Sequence, residues 1–301
     1  MEASRIDTSV APGGIATAKR VVSDYVALTK PKVQSLLLLT TVATMLVAGS
    51  PSVTLIILTC LGGYLSAGGA GAVNHWYDRD IDLLMERTAN RPVASGRVSP
   101  RAALTFGIVL AALSLIELSI FVNPLAALLS FSGFLGYTLM YTVWLKRSTP
   151  QNIVIGGAAG AVPPLVGWAA VTGSLDLAAL YLFAIVFYWT PPHFWALSLL
   201  MKDEYAKVGV PMMPVVRGED ETRRQIVLYT ILLIALTLLP VAGGLFGGIY
   251  LIAAGVLDII FLWLAVSLQR QATRGAALRL YLYSLGYLAL LFAAMVVDVK
   301  I

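Results

Sequence analysis

The sequence predicts an all-α integral membrane protein, a bundle of nine transmembrane helices. Hydrophobic residues make up 58% of the chain and charged residues only 12%, and the mean hydropathy is +0.83. The apolar residues form blocks of about 18 or more, which is long enough to cross a hydrocarbon core of roughly 30 Å. These blocks are continuous and do not alternate with polar residues, which argues against a transmembrane β-barrel.

Nine blocks meet this length criterion, and short loops join most of them. We therefore expect one polytopic membrane domain over residues 26–301. The polar residues 1–25 are predicted to be a flexible cytoplasmic tail. The predicted spans are 33–49, 53–75, 102–122, 124–145, 152–171, 177–200, 225–243, 245–267 and 278–297.

The positive charges fall on one side of this nine-span topology. Of the 21 Lys and Arg residues, all except Lys300 belong to the N-terminal region or to alternate loops. The positive-inside rule then places the N-terminus in the cytoplasm and the C-terminus outside. The net charge of +5 therefore reflects basic residues on the cytoplasmic side of the lipid bilayer. Nucleic acid is not an expected partner.

The loop after the second span carries the clearest chemical motif, GAVNHWYDRDIDLLMERTANRP at 71–92. Asn74, Asp78 and Asp82 are four residues apart, so on a helix all three project from one face. A row of oxygen donors with mutually repelling carboxylates is suited to Mg²⁺, which leaves coordination positions for water and phosphate oxygens. The alternative interpretation is a solvated helix end paired with Arg79.

Basic residues on the same predicted side of the membrane could bind a phosphorylated group. Guanidinium groups match the geometry of phosphate oxygens, although such residues also serve as positive-inside anchors. Together with the acidic row they indicate a Mg²⁺-assisted diphosphate site at the inner mouth of an apolar bundle. A prenyl diphosphate, with its long apolar tail, fits this description. The basic candidates are Arg87, Arg91, Lys146, Arg147 and Lys202.

His193 lies within the sixth span, in the segment YWTPPHFWAL. An ionisable side chain inside the membrane marks a functional site by default. Trp189 and Trp195 offer flat aromatic surfaces beside it, so all three are candidates for contact with haem. His193 could serve as an axial ligand to haem iron or as a general base, or it could be a packed histidine without such a role.

Several segments resemble one known family. NHWYDRDID is similar to the N-x-x-x-D-x-x-x-D motif of the UbiA-type membrane prenyltransferase superfamily. DLLMERTANRP, LKRSTPQNIVIGGAAGAVPPLVGW, PPHFWAL and DEYAKVGVPMMPV resemble its haem O synthase branch, the protoheme IX farnesyltransferases. The resemblance extends from about Lys30 to the ninth span.

The resemblance implies a bundle around a central cavity that transfers a farnesyl group from farnesyl diphosphate to the vinyl group of haem B. Asn74, Asp78 and Asp82 would hold Mg²⁺ and diphosphate, and His193 would contact haem. The basic residues Arg87, Arg91, Lys146 and Arg147 would neutralise the departing diphosphate. The second D-x-x-x-D motif of quinone-type relatives is missing, so Asp203 is expected only in a supporting or water-mediated metal role.

Three other functions are compatible with the sequence: a prenyltransferase acting on an aromatic quinone precursor or a chlorin, a membrane transporter, and a non-catalytic haem-binding assembly factor. The expected location is the cell (inner or plasma) membrane, with the active site toward the cytoplasm. Haem A synthase or terminal oxidase assembly is a possible partner.

Overall fold

The computed structural model describes residues 14–301, with side chains described from residue 18 onward. The described chain is helical, and nine of its helical segments are long and apolar enough to cross a membrane. The predicted fold class and number of spans are confirmed. The largest difference is at the seventh span, which begins six residues earlier than predicted, at Glu219, because the helix continues into the charged loop.

Short connections join most of the nine spanning segments, and two longer segments join α3 to α5 and α9 to α12. α6 continues through a π-helical stretch (Gly136–Trp144) and a 3₁₀ turn (Leu145–Arg147), and α7 and α8 together form one span. The spanning helices are α2 (Pro31–Ala48), α3 (Val53–Tyr77), α5 (Pro100–Phe121), α6 (Pro124–Leu135), α7 (Asn152–Gly160), α8 (Val162–Thr172), α9 (Leu177–Leu200), α12 (Glu219–Ala242), α13 (Gly248–Gln271) and α14 (Arg274–Lys300). The shorter helices are α1 (Gly14–Leu28), α4 (Arg79–Leu84), α10 (Lys202–Lys207) and α11 (Met213–Val216).

Local sequence explains where several of these helices begin. A polar side chain accepts a hydrogen bond from a backbone N–H in the first turn of five of the spanning helices, which satisfies one of the free donors at each helix start. Proline follows two of these caps directly, at a position where its missing N–H costs nothing. The capping residues are Ser52, Ser99, Asn123, Asp176 and Thr273.

Residues 14–25 of the predicted flexible tail belong to helix α1. Tyr25 packs edge-on against Phe106 with ring centroids 4.9 Å apart, and Asp24 pairs with Arg97 at 2.9 Å. These contacts hold α1 against the start of α5 and the loop before it. The segment has no long apolar run, so hydropathy gave no sign of it. Residues 1–13 of the predicted tail lie outside the described residues.

The spans form a closed arrangement, because the last span, α14, packs against both α9 and the first span, α2. Two of the spans, α3 and α5, approach each other backbone to backbone. A Cβ on Gly69 would lie 2.6 Å from the backbone oxygen of Gly107, and one on Gly107 would lie 2.8 Å from that of Gly69. Only glycine permits this contact, and small residues are the usual means of close helix packing in membranes.

The Gly69–Gly107 contact predicts a large cost for adding one methyl group. Gly69→Ala should lower the free energy of unfolding by about 1–3 kcal/mol, since the backbones must separate. Gly286→Ala, on α14, has open space for its Cβ and should be neutral or slightly stabilising. Denaturant titration in mixed micelles would measure both variants. Equal stability of the two variants would contradict this packing.

Candidate active site at one end of the bundle

The acidic row occupies the junction between α3 and α4. The helix assignment is interrupted at Asp78, but the backbone hydrogen bonds from Asp78 N to Asn74 O (2.9 Å) and from Asp82 N to Asp78 O (2.8 Å) are kept. The helical spacing therefore survives across the junction. Asn74, Asp78 and Asp82 are all buried, and the Asn74 amide donates to Asp78 Oδ2 at 2.7 Å.

Two lysines from other spans reach the first two members of the row. Lys30 Nζ, at the start of α2, donates to Asn74 Oδ1 at 2.5 Å. Lys146 Nζ, at the end of the π-helical stretch, donates to Asp78 Oδ2. Asp78 is 0% exposed, so its charge needs a close cation in the absence of water. Lys146 therefore lies beside the acidic row.

Arg91 completes the row from the loop after α4. Its Nη1 donates to both carboxylate oxygens of Asp82, at 2.9 and 2.7 Å. Residues 86–96 form turns and not a helix, so Arg87 and Arg91 do not share a helix face as their spacing suggested. Arg87 instead lies near Tyr205 of α10. Burial raises the pKa of Tyr205, whereas Arg87 and Arg91 oppose this shift.

Arg147 binds the outer edge of the row. It donates to both oxygens of Asp80, at 2.8 and 2.7 Å, and its Nη2 lies 3.5 Å from Asp78 Oδ1. The Asp80 side chain is 60% exposed and projects away from the row, as the helical spacing predicted. The hydrogen bond from Arg147 lowers the pKa of Asp80 to about 2, so this carboxylate stays ionised at neutral pH.

Lys30 is the site residue that the sequence analysis missed. In the sequence it is only one of the positive charges next to the first span. In the structure its ammonium also lies 3.3 Å from the hydroxyl of Tyr137. Burial and the neighbouring Arg91 and Lys146 lower the pKa of Lys30 to about 7. Its backbone is left-handed, with φ of +54°, which places it at a sharp turn before Pro31. In the sequence, only the Lys-Pro pair at the start of the first span indicates this turn.

Two predicted site residues lie elsewhere. Lys202 pairs with Glu219 at 2.9 Å and not with the acidic row. Asp203 is exposed in the first turn of α10, and no three His, Cys, Asp or Glu side chains in the described part of the chain come together as a metal site. Asp203 therefore does not complete a cluster with Asp78 and Asp82. The short helix α10 buries Tyr205 and so turns Asp203 to solvent.

The aromatic candidates divide between two faces of α9. The His193 ring stacks between Trp189, at 4.4 Å between centroids, and Tyr281 of α14, at 5.0 Å. Trp195 faces α12 and packs edge-on against Tyr229 at 5.1 Å. The structure brings Trp189 and His193 together and separates Trp195 from them, because residues two apart lie on nearly opposite faces of a helix.

An apolar cavity lies next to Lys30, which contacts the Asn74 end of the acidic row. Its walls come from α2, α3, α6, α7 and α8, and both Lys30 and Tyr137 line it. The cavity has a volume of about 180 Å³. Along α2 the lining runs from Lys30 to Thr41, a depth of about 16 Å at the rise of an α-helix. Lys30 therefore lines the apolar cavity and also contacts the acidic row, through Asn74.

The acidic row is chemically suited to Mg²⁺. All three side chains offer hard oxygen donors, and Asp78 Oδ1 is buried without a hydrogen bond. Mg²⁺ commonly uses one or two carboxylates and takes its other ligands from water and phosphate. Two carboxylates and one amide match this preference and leave coordination positions for water and phosphate.

The fold and site together define a multi-pass membrane protein with a charged, metal-compatible site next to an apolar cavity. The chain belongs to the UbiA prenyltransferase family, whose family model matches residues 36–293. The resemblance noted in the motifs is thereby confirmed.

Individual relatives agree with this assignment. Over 282 residues the chain is 58% identical to a Chloroflexus aurantiacus protein named protoheme IX farnesyltransferase, and the match covers 93% of this chain and 48% of that relative. A Deinococcus radiodurans protein of the same name is 53% identical over 289 residues, which cover 91% of this chain and 92% of the relative. The chain thus spans about half the length of the Chloroflexus protein.

Solved structures share the fold. A structure of digeranylgeranylglyceryl phosphate synthase has a TM-score of 0.77 at 19% identity, covering 93% of this chain and 99% of that one. A UbiA homologue from Archaeoglobus fulgidus bound to GPP and Mg²⁺ has a TM-score of 0.66 at 18% identity, covering 90% and 99%. At these identities the likeness establishes the architecture alone.

Proposed function

We propose that this protein transfers the farnesyl group of farnesyl diphosphate to a vinyl group of haem B, giving haem O. The observation that carries the proposal is the position of Lys30, which joins the row of oxygen donors and its basic partners to an apolar cavity. The names of the relatives from Chloroflexus and Deinococcus support haem as the acceptor.

The diphosphate would bind at the acidic row. Asn74, Asp78 and Asp82 would hold Mg²⁺, as the Archaeoglobus homologue with GPP and Mg²⁺ suggests, and the ion would withdraw charge from the departing diphosphate. The chain's own cations supply the remaining positive charge. They are Lys30, Arg87, Arg91, Lys146 and Arg147. Four of them, all except Arg87, are already held by ion pairs or hydrogen bonds, and such fixed charges stabilise a developing anion without reorganisation.

The farnesyl chain would enter the cavity below Lys30. The eleven bonds of its twelve-carbon main chain extend about 13 Å at roughly 1.2 Å per bond, which fits the depth of about 16 Å derived above from the helical rise. The apolar walls would keep water away from the allylic cation formed when the C–O bond breaks. The electron-rich vinyl carbon of haem then attacks that cation, and water adds to the resulting haem-stabilised cation.

Haem would lie against α9, where His193 presents an imidazole between two aromatic rings. We place the site toward the cytoplasm and the protein in the cell membrane, from the distribution of Lys and Arg. Transfer of the product to haem A synthase or to terminal oxidase assembly stays a prediction.

Asp78 should be essential for the reaction. Asp78→Asn keeps the size of the side chain but removes one of the two buried carboxylates, and we expect haem O formation to fall by about 100-fold or more. The assay combines the purified protein with haem B, farnesyl diphosphate and Mg²⁺ and detects the farnesylated haem by mass spectrometry. Asp220→Asn is the matched control, because Asp220 is exposed at the start of α12 and pairs with Arg223, outside the site.

Near-normal haem O formation by Asp78→Asn would refute the assigned metal site. If the wild-type protein prenylates an aromatic quinone precursor or a chlorin in parallel reactions and leaves haem unchanged, the proposed acceptor is wrong. Diphosphate-independent transport in liposomes, with no prenylated product, would instead favour a transporter.

Lys30 and Lys202 should respond differently to loss of charge. Lys30→Met removes a cation at the head of the cavity, so the KM for farnesyl diphosphate should rise about tenfold, the lower range for a lost charge-assisted contact. Lys202→Met removes only the surface pair with Glu219, and its KM should change less than twofold. Steady-state kinetics would distinguish the two. A larger effect for Lys202 would restore the assignment made from sequence.

Gly160 should influence which chain length is accepted. It lines the cavity, and a Cβ there would meet nothing within 4 Å, so a larger side chain would occupy the cavity without disturbing the helices. Gly160→Leu should shift preference from farnesyl toward geranyl diphosphate, measured as the ratio of kcat/KM values. Gly255→Leu, on α13 with equally open surroundings, should leave the ratio unchanged. An unchanged ratio for Gly160→Leu would argue against this cavity as the tail site.

A further inference from the structure

Ser284, on α14, is the point at which α14 contacts the haem-facing side of α9. It is fully buried. Its backbone oxygen accepts a hydrogen bond from Trp189 Nε1 at 2.8 Å, and its hydroxyl lies 2.7 Å from His193 Nδ1. One residue therefore holds both the indole and the imidazole of α9.

The hydrogen bonds of Ser284 determine which nitrogen of His193 carries the proton. The Ser284 hydroxyl donates its only hydrogen to the backbone oxygen of Tyr281, at 2.7 Å. Two oxygen atoms at that distance would repel each other without a hydrogen between them. The hydroxyl must then accept at its contact with His193, so Nδ1 carries the hydrogen and Nε2 keeps its lone pair.

Two aromatic contacts fix the plane of the same ring. The His193 ring is nearly parallel to Trp189, with an interplanar angle of 17°, and to Tyr281, with an angle of 27°. Stacking restricts the tilt of the imidazole, and the bond to Ser284 restricts its rotation. His193 is only partly buried, and Nε2 makes no hydrogen bond to any residue that the structure describes. An imidazole with an anchored Nδ1–H and an open Nε2 is the usual form of a metal-ligating histidine.

We propose that Ser284 is a positioning residue that holds His193 in the Nδ1–H tautomer and presents Nε2 as an axial ligand to the iron of the haem substrate. This inference rests on the proposed function in that haem is the acceptor. The tautomer itself can be measured without haem and without farnesyl transfer.

The first measurement is the tautomer. The chain has only two histidines, so ¹⁵N-histidine labelling gives two sets of ring signals, and a His75→Gln variant identifies those of His193. We expect a protonated Nδ1 and an unprotonated Nε2 in the wild-type protein. A protonated Nε2 with a bare Nδ1 would overturn the proposal.

The second measurement is titration with ferric haem B, followed by absorption and electron paramagnetic resonance spectroscopy. Ser284→Ala should weaken haem binding by about 10- to 100-fold, typical of losing the partner of a metal-ligating histidine, and should reduce the histidine-ligated signal. Ser284→Thr retains the hydroxyl and should retain the wild-type spectrum. His193→Ala shows the spectrum without the ligand.

Ser198→Ala is the matched control for loss of a buried hydroxyl. Ser198 lies on α9, the helix of His193. Like Ser284, it is fully buried and donates to a backbone oxygen three residues earlier, at 2.9 Å. Unlike Ser284, it is not hydrogen-bonded to a histidine. Its haem spectrum and affinity should match the wild type. Equal weakening by Ser198→Ala and Ser284→Ala, or no change in Ser284→Ala, would overturn the proposal.

The result also separates two kinds of failure. Wild-type protein that shows the histidine-ligated haem spectrum but forms no farnesylated haem would refute farnesyl transfer and leave the role of Ser284 intact. Product formed by a wild-type protein whose haem spectrum equals that of His193→Ala would refute iron ligation and leave the reaction intact.

Discussion

The neutralisation of two buried carboxylates governs the arrangement of the whole site. Asp78 and Asp82 are removed from water at the end of α3, where an unpaired charge would cost several kcal/mol. Their counter-charges come from different parts of the chain: Lys146 and Arg147 follow α6, and Arg91 belongs to the loop after α4. Lys30, before α2, completes the set through Asn74. The same pairs that stabilise the acidic row thus gather the cations that a diphosphate requires.

Properties that repeat along the chain could be predicted from the sequence, whereas properties that depend on tertiary partners could not. Long apolar blocks identified nine spans because each crosses the bilayer separately, and helical periodicity placed Asn74, Asp78 and Asp82 on one face. Lys30 and Lys202 look alike in the sequence, since both are lysines next to one end of a span. Only the packing of α2 against α3 brings Lys30 to Asn74. Only the turn into α12 places Glu219 where it pairs with Lys202.

Not every acid within the membrane belongs to the site. Asp258, in the middle of α13, accepts hydrogen bonds from Thr237 of α12 and Tyr287 of α14, both at 2.7 Å. Tyr250 extends this group by donating to the backbone oxygen of Thr237 at 2.9 Å. Hydrogen bonds between helices contribute modestly to membrane-protein stability, and here they connect three consecutive spans. The structure therefore gives Asp258 a clear role in helix association.

The π-helical stretch of α6 shows that the number of residues between two features can matter as much as their identity. Such stretches contain an extra residue within an otherwise α-helical span. If one residue of 136–144 were deleted, the helix could relax to α geometry, and everything after it would turn by about 100°. Lys146 and Arg147 would still occupy the end of the span but would face away from Asp78. Two chains with the same charges and the same apolar spans could then differ in whether they have a site at all, and a comparison of homologues that ignores single-residue gaps in this helix would not detect the difference.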